Sequence, residues 1–394
     1  MRLVEEHKID AVFLNTSIIP WYRKFDRGLR AVLDKKGVVF ATFDGCYLRS
    51  PRDVLKDDGT PFSVFTPFKK KSYRTPVRAC YEKPSSQSWI ATRKKELEDL
   101  DLYPKEDWAD RLSKLWEFGE KGAQKALKKF LESGLNGYKK GRDFPAEKYT
   151  SRLSPYLAHG EISPHRIWHA AIRASAPEKD REHFLSELTW REFSYYLLYH
   201  FPALPEKNFQ KKFDCFPWIS HSKELTAWQE GKTGYPIVDA GMRQLWQTGY
   251  MHNRLRMMVG SFLVKNLRIH WHRGRDWFWD CLLDADIANN SAGWQWIAGS
   301  GADAAPYFRI FSPKRQLEAF DPAGLYVRRY LPELGQLPTK YLAEPWLAPE
   351  QVLRESGIEL GVDYPYPIVS IKESREAALL AFQEISKKGK VEGF

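Results

Sequence analysis

The chain has 394 residues, enough for two or more domains with a large buried core. Its formal charge of +11 and its pI near 9.2 suit a polyanionic partner such as nucleic acid. No apolar run approaches the roughly 20 residues of a membrane span, and the N-terminus lacks the apolar stretch of a signal peptide, so we expect a cytoplasmic protein without membrane association.

Two short apolar segments near the N-terminus predict a β-α-β unit, the building block of parallel doubly wound sheets. Residues 9–15 (IDAVFLN) and 37–45 (GVVFATFDG) are typical of buried strands, and the stretch 21–36 between them has a helical pattern. Two strands alone do not make a stable sheet with helices on both faces. We therefore expect residues 1–71 to be part of an α/β, Rossmann-like domain.

A change in composition follows this unit. Residues 72–115 are rich in proline, serine and charge and show little periodicity, which predicts an inter-domain linker. From residue 116 to residue 394 the patterns are helical nearly throughout, with apolar pairs such as Ala123 and Leu127 four residues apart. The sequence therefore predicts a mainly α protein, in which a large helical domain follows the partial α/β domain.

Three hydroxyl groups mark the first candidate site, in the sequence YTSRLSP. Thr150, Ser151 and Ser154 lie at the start of a predicted helix that has Pro155 in its first turn. Hydroxyls and free backbone N–H groups at a helix N-terminus favour a phosphate. For this motif taken alone, an ordinary Ser/Thr cap is the better explanation.

The sequence SELTWREF marks a second candidate site. Glu187 and Trp190 stand three residues apart and so share one face of a predicted helix. Taken alone, Glu187 and Arg191 would form a surface ion pair, and Trp190 would be a core residue. The alternative is a pocket for a flipped-out base, which needs an aromatic plate and a polar group for the edge of the base.

The region 228–313 carries the most informative combination, because it supplies what a buried redox chromophore needs. Two acids can accept hydrogen bonds from hydroxyls, an amide pair can face an isoalloxazine edge, two tryptophans provide aromatic walls, and two arginines can meet phosphate charge. In that order, these residues are Asp284, Asp286, Asn289, Asn290, Trp294, Trp296, Arg254 and Arg256. The four cysteines of the chain show no C-x-x-C spacing, and we expect no metal.

This combination resembles the flavin-binding helical domain of the DNA photolyase and cryptochrome family. The similarity runs with few gaps from about residue 138 to about residue 346, and it is closest to the bacterial class I photolyases that act on cyclobutane pyrimidine dimers. Family members have a complete α/β domain before the helical domain, and this chain is similar to only the second half of it. We therefore expect a chain that lacks the first half, about three strands with their helices.

The resemblance implies FAD as the cofactor. The family places a side chain opposite flavin N5 at the position of Asn290, where plant cryptochromes carry Asp and animal cryptochromes Cys, so Asn290 favours a photolyase. Where folate-using members carry an Asn-Glu pair, this chain has Trp21 and Tyr22, which argues against a folate or deazaflavin antenna chromophore. The residues assigned to FAD are Tyr138, Thr150, Ser151, Arg152, Leu153, Ser154, Arg191, Arg256, Asp284, Asp286 and Asn290.

The resemblance also implies UV-damaged DNA as the substrate. Glu187 would stabilise or protonate the damaged pyrimidines, and we take Glu187 and Asn290 as the catalytic candidates. Enzymes that repair the (6-4) photoproduct carry two histidines where this chain has Asn253 and Met257, which indicates cyclobutane dimers; we assign the neighbouring His252 to structure. The residues assigned to the substrate and the DNA are Arg142, Glu187, Trp190, Asn253, Arg254, Met257, Trp296 and Arg309.

Three further tryptophans, Trp294, Trp271 and Trp218, match the electron-transfer chain of the family, although singly each is better explained as a core residue. We therefore predict light-driven repair of cyclobutane pyrimidine dimers by electron transfer from excited reduced FAD. The protein would be a monomer that associates with the nucleoid when it binds DNA. The alternatives are a cryptochrome-type blue-light photoreceptor without repair activity and a flavin-binding or DNA-binding protein without activity.

Overall fold

The computed structural model describes residues 2–82, 100, 102, 104, 106–304 and 308–391. Among these residues the secondary structure is mainly helical, with one small parallel sheet near the N-terminus, so the predicted fold class is confirmed. The boundaries expected for the two domains and the linker stay a prediction.

The N-terminal segment forms the expected β-α-β unit. Strands β1 and β2 pair in parallel, from Ala11 opposite Val39 to Asn15 opposite Phe43. The helix between them buries Leu33 completely, whereas the other face of the sheet leaves Phe13 and Phe43 exposed. The elements of this unit are α1 (Arg2–Glu6), β1 (Ala11–Asn15), α2 (Pro20–Asp34) and β2 (Val39–Phe43).

A helix lies at the C-terminal end of the predicted linker. Residues 83–99, 101, 103 and 105 lie outside the described residues, but helix α4 (Asp107–Leu115) ends the segment. Ala109 and Leu112 are three residues apart, so they share the buried face of this helix. The guanidinium of Arg111 also donates to the carbonyl oxygen of Trp246, 3.0 Å away. Two apolar residues at helical spacing are therefore enough to pack this short helix against the helical part of the chain.

The remaining helices follow in chain order, and most of them belong to the helical part. Their bounds are α3 (Phe65–Ser72), α5 (Gly119–Ser133), α6 (Tyr138–Gly141), α7 (Ser154–Ala158), α8 (Pro164–Arg173), α9 (Glu178–His200), α10 (Ser222–Glu230), α11 (Pro236–Thr248), α12 (Asn253–Ser261), α13 (Trp271–Cys281), α14 (Ile287–Ala298), α15 (Pro313–Phe320), α16 (Leu325–Tyr330), α17 (Glu350–Glu355) and α18 (Ile371–Val391). A π-helical turn (Phe262–Asn266) extends α12, and short 3₁₀ turns occupy Lys211–Cys215, Pro332–Leu334, Thr339–Tyr341 and Pro345–Leu347.

Helix α9 is the central element, because it packs on several sides at once. Phe184 and Leu188 belong to the core around α5 to α8, while Phe193 and Tyr196 pack on Phe68 of α3 in the N-terminal segment. Helices α13 and α14 pack on each other, and α14 also packs against α9. These contacts place the functional candidates of α9 and α14 opposite each other.

Apolar burial holds the helical part together. Its largest core is built from α10 to α14 and the segments that follow, and it buries Trp228, Trp271 and Trp294 almost completely. Full burial of such large apolar side chains is the dominant favourable term in folding. Over the described residues, no helix combines the length and the apolar character that crossing a membrane requires.

Candidate functional site

One large cavity, of about 600 Å³, lies between α9, α12, α14 and the segment 138–158, and we call it the main cavity. This volume lies within the usual range for cofactor and ligand pockets. All the residues predicted to bind FAD line it: Tyr138, Thr150, Ser151, Arg152, Leu153, Ser154, Arg191, Arg256, Asp284, Asp286 and Asn290. Most of those predicted to bind substrate line it too: Arg142, Glu187, Trp190, Asn253, Met257 and Trp296.

Asp284 and Arg256 form a partly buried ion pair in the wall of the main cavity. The guanidinium NH2 of Arg256 donates to Asp284 Oδ2 at 2.7 Å, and its Nε donates to the carbonyl oxygen of Met251 at 2.8 Å. The second carboxylate oxygen of Asp284 is buried without a hydrogen-bond partner among the described residues. A buried, unpartnered oxygen is costly, so it indicates a missing donor such as a ligand hydroxyl or ring N–H.

Both carboxylate oxygens of Asp286 accept hydrogen bonds from other residues of the protein. Its Oδ1 caps α14 by accepting the backbone N–H of Asn289 at 2.7 Å and the amide of the same residue at 2.8 Å. Its Oδ2 accepts the hydroxyl of Tyr195 at 2.5 Å. The two acids therefore differ, since Asp286 is held by the protein while Asp284 keeps one oxygen for a ligand.

The hydroxyl segment 150–154 has an unusual backbone. Arg152 has a positive φ of 53°, a conformation that costs energy for a residue other than glycine and is often found at functional sites. Its guanidinium lies 4.4 Å from the ring centre of Trp116 and 5.1 Å from that of Tyr250. Helix α7, which follows, has only five residues. A phosphate bound here would therefore be held more by the hydroxyls and the Arg152 charge than by the N-terminus of the helix.

Asn290 is held in a fixed orientation by α13. Its amide nitrogen donates to the carbonyl oxygen of Arg275 at 2.9 Å, which leaves the amide oxygen to accept a hydrogen bond. The side chain lies in the wall of the main cavity, and its place opposite a flavin edge stays a prediction.

Glu187 lies in an ion-pair cluster at the other side of the main cavity. Its carboxylate pairs with Arg142, and the same guanidinium donates to Nε2 of His183 at 3.2 Å. Arg191 pairs instead with Glu192, so the surface ion pair considered for Glu187 and Arg191 does not form. Arg142 therefore lines the main cavity beside Glu187, and its assignment to the DNA stays a prediction.

Trp190 is supported from behind by the N-terminal segment. The ring of Phe65 stacks on it with centroids 3.6 Å apart and planes 8° from parallel. Phe65 belongs to α3 and is itself buried, so it fixes the orientation of the indole. Trp190 also lines the main cavity, where it can stack on a planar ligand.

Helix α12 presents its N-terminal turn to the main cavity. The Asn253 amide lies 4.0 Å from the sulfur of Met257, so the two side chains share a face as predicted. His252 is buried, and its Nδ1 caps α12 by accepting the backbone N–H of Arg254 at 3.1 Å. Burial lowers the pKa of His252 to about 4, so the ring is neutral at physiological pH. The structural role expected for His252 agrees with this geometry.

Two predicted DNA-binding arginines lie outside the main cavity. Arg254 pairs with Asp143 at 2.5 Å and lies over the ring of Phe320 at 4.2 Å. Arg309 is exposed and lines a smaller cavity beside Trp296. Their assignment to DNA phosphates stays a prediction.

The three predicted electron-transfer tryptophans lie at or near α13, and the electron path through them stays a prediction. The indole of Trp294 packs against Gly274, one helical turn beyond Trp271, so closely that a Cβ on Gly274 would be 2.1 Å from it. Trp271 stacks on His270 with centroids 5.7 Å apart, and His270 contacts Trp218 at 4.9 Å. Trp294 and Trp271 are buried and Trp218 is half-buried, so the predicted path would run from the cavity wall toward the surface.

Three aromatic residues of the site were not predicted from the sequence. Tyr250 is buried under the guanidinium of Arg152 and hydrogen-bonds Thr150, Tyr195 holds Asp286, and Phe65 holds Trp190. Their positions depend on long-range packing, and only Tyr195 carried a local signal, because it lies four residues after Arg191 on the same helix.

Comparisons with known proteins agree with this geometry. A family model described as the FAD binding domain of DNA photolyase matches residues 184–384, and one described as DNA photolyase matches residues 1–85. The deoxyribodipyrimidine photo-lyase of Agrobacterium fabrum is 46% identical over 391 residues, which cover 98% of this chain and 82% of that protein.

Two solved structures extend the comparison. A bacterial class III photolyase from Agrobacterium tumefaciens superposes with a TM-score of 0.94 at 45% identity, over 98% of this chain and 81% of the other. A cryptochrome from Synechocystis superposes with a TM-score of 0.87 at 30% identity, over 96% of this chain and 80% of the other. The predicted nearness to class I enzymes stays a prediction, since one of these relatives is a class III enzyme.

Proposed function

The chain belongs to the DNA photolyase and cryptochrome family, and we propose that it is a light-driven lyase that repairs cyclobutane pyrimidine dimers in DNA. One observation carries the proposal. The main cavity brings the predicted flavin residues, such as Asp284 and Asn290, together with the predicted lesion residues Glu187 and Trp190. A flavin and a flipped-out lesion could therefore lie in contact.

The chain carries an FAD-binding domain, and the residues of the main cavity suit that cofactor. The unpartnered oxygen of Asp284 is an acceptor for a flavin donor, and Arg152 and the hydroxyls of Thr150 and Ser151 would hold the diphosphate. When bound, reduced and excited by light, FAD would supply the electron that splits the dimer. The protein binds and orients both partners and keeps water out.

Glu187 and Trp190 would hold the lesion. The indole, with Phe65 behind it, offers one face for stacking on the dimer. Arg142 pairs with the Glu187 carboxylate and directs it, so that it can bind the polar edge of the pyrimidines. Flipping the lesion out of the duplex costs least for a damaged base pair, which favours damaged over intact DNA.

Asn253 and Met257 support cyclobutane dimers over (6-4) photoproducts. Neither an amide nor a thioether can shuttle a proton at neutral pH, whereas both can hold a substrate by hydrogen bonding and packing. His252 faces away as a buried, neutral cap and does not supply that function.

We further propose that the protein works as a monomer in the cytoplasm, bound to the nucleoid through its basic charge. We propose no antenna chromophore, because Trp21 and Tyr22 do not provide the polar groups that folate-using relatives carry. The second candidate function is a cryptochrome-type photoreceptor, supported by the 30% identity with the Synechocystis protein.

Repair assays separate these functions. Purified protein should be coloured, release one FAD per chain on denaturation, and remove cyclobutane dimers from an oligonucleotide only in light. A matched oligonucleotide with a (6-4) photoproduct should stay unrepaired. Bound FAD without any repair would favour the photoreceptor, and (6-4) repair at an equal or higher rate would overturn our assignment of Asn253 and Met257.

A further inference from the structure

Glu192 is a buried carboxyl group beside the main cavity for which the proposed chemistry has no role. It follows Arg191 on α9, and its side chain is 7% exposed. Burial raises the pKa of Glu192 to about 7, against the opposing effects of the Arg191 charge and of the backbone N–H groups of Leu48 and Arg49. A carboxyl group that changes charge near neutral pH beside a ligand cavity is a candidate for a functional role.

The two oxygens of Glu192 join different parts of the chain. Oε1 accepts the guanidinium NH1 of Arg191 at 3.0 Å, and Oε2 accepts the backbone N–H of Leu48 at 2.7 Å. The same guanidinium nitrogen of Arg191 donates to the carbonyl oxygen of Cys46 at 3.1 Å. The carboxyl group therefore fastens residues 46–49 of the N-terminal segment to the arginine that lines the main cavity.

The contacts continue from Arg191 to the predicted flavin residues. The guanidinium lies 4.3 Å from the ring centre of Tyr195, whose hydroxyl donates to Asp286 at 2.5 Å. Arg191, Tyr195 and Asp286 all line the main cavity. A change of charge on Glu192 thus occurs one contact away from the proposed flavin site.

A second, smaller cavity borders Glu192. It has a volume of about 10 Å³, close to that of one water, and Tyr195 borders both it and the main cavity. A water in this cavity would give Glu192 a route for its proton. The titratable and charged groups that face Glu192 and its partner are Cys46, Tyr47 and Arg49 of the N-terminal segment, His165 of α8, Arg191 and Tyr195 of α9, and Asp286 before α14.

We propose that Glu192 is a positioning residue that sets, through its own ionisation, the net charge that Arg191 presents to bound FAD. When Glu192 is ionised, the pair is neutral. When Glu192 is protonated, Arg191 keeps a net positive charge, which stabilises the anionic reduced form of the cofactor. This inference rests on the FAD site of the proposed function, but it does not depend on which lesion is repaired.

The test is the reduction potential of FAD bound to the intact protein, measured by spectroelectrochemistry between pH 5.5 and 8.5. The wild type should show a change of slope near pH 7, judged against the Glu192→Gln variant because reduced FAD itself titrates in this range. The Glu192→Gln variant should lose this change of slope. At pH 8 its preference for reduced over oxidised FAD should exceed that of the wild type by on the order of tenfold, and at pH 5.5 the two should coincide.

Two further variants keep the test decisive. Glu182→Gln removes an exposed carboxylate of the same helix and should follow the wild-type profile. Glu192→Asp retains an ionisable group and should restore a change of slope even if the Gln variant folds poorly. Parallel profiles of wild type and Glu192→Gln, or a straight wild-type profile, would overturn the inference. Loss of repair with an intact potential profile would instead count only against the proposed function.

Discussion

Trp294 contacts a tryptophan that does not belong to the proposed electron path. It packs against Gly274 of α13, the helix that begins at Trp271, and it also meets Trp228 edge-on with centroids 6.2 Å apart. Trp228 is completely buried and donates its indole N–H to the carbonyl oxygen of Val259. The pair offers a matched comparison between a residue on the path and a packing residue beside it.

Replacing Trp294 by Phe should block light-driven reduction of bound oxidised FAD, because it removes the tryptophan of the proposed path that lines the main cavity. Repair should be nearly unchanged when the FAD is reduced chemically beforehand, since the electron given to the dimer does not pass through Trp294. Absorbance changes under blue light measure the first effect and dimer loss the second. Trp228→Phe is the control and should photoreduce normally. Wild-type photoreduction in Trp294→Phe would show that the path is wrong.

Replacing Trp190 by Ala should weaken binding of the lesion by about 1–3 kcal/mol, the usual value for a base-stacking aromatic residue. Photoreduction should be unaffected, because Trp190 lies off the Trp294 path. Titration of a dimer-containing oligonucleotide measures the affinity. Trp246→Ala, which removes an exposed tryptophan away from the main cavity, should bind as the wild type does. Equal affinities for Trp190→Ala and wild type would exclude stacking.

At the scale of the element, helix caps explain how the site is held. The carboxylate of Asp286 caps α14, and the imidazole of His252 caps α12. Each cap starts a helix directly at the main cavity, so the side chains of the first turns, such as Asn253 and Asn290, have a fixed direction. The caps therefore contribute to function through geometry as well as to stability.

The cap at His252 should make the protein sensitive to acid. The pKa of His252 is about 4 in the folded state and about 6.5 when unfolded, so its stabilisation is complete above pH 6.5 and is lost as the pH falls through 4, a total of about 3 kcal/mol. His252→Asn keeps a capping acceptor but removes the titration. The free energy of unfolding, measured with urea between pH 4.5 and 7.5, should rise less steeply with pH for this variant than for the wild type. A pH dependence of unfolding equal to that of the wild type would contradict this role of His252.

The sequence predicted the elements of the site better than its contacts. The β-α-β unit and the shared faces of Glu187 and Trp190 or of Asn253 and Met257 follow from local periodicity. The pairing of Glu187 with Arg142 spans 45 residues of sequence and could not be predicted, because it depends on how α6 packs against α9. Helix α4 was missed for a different reason, since its short apolar pattern lies in a polar, proline-rich context.

At the scale of the whole molecule, the net charge of +11 should govern the encounter with DNA. Affinity for a damaged duplex should fall steeply with salt, because phosphate binding releases counterions. Arg309→Gln should reduce the slope of log affinity against log salt by about one unit. Lys125→Gln, whose ammonium pairs with Glu117 away from the main cavity, should leave the slope unchanged. Fluorescence anisotropy at several salt concentrations measures the affinity of each variant. A slope for Arg309→Gln identical to that of the wild type would show that Arg309 does not contact the DNA.

The uncovered face of the N-terminal sheet has a consequence for colloidal behaviour. Phe13, Val39 and Phe43 are each more than half exposed, and each strand has an edge without a partner within the described residues. Such a surface favours self-association, whereas an excess of positive charge keeps copies of the protein apart. Salt that weakens DNA binding also screens this repulsion, so the conditions that free the protein from DNA are those in which copies of it adhere to one another.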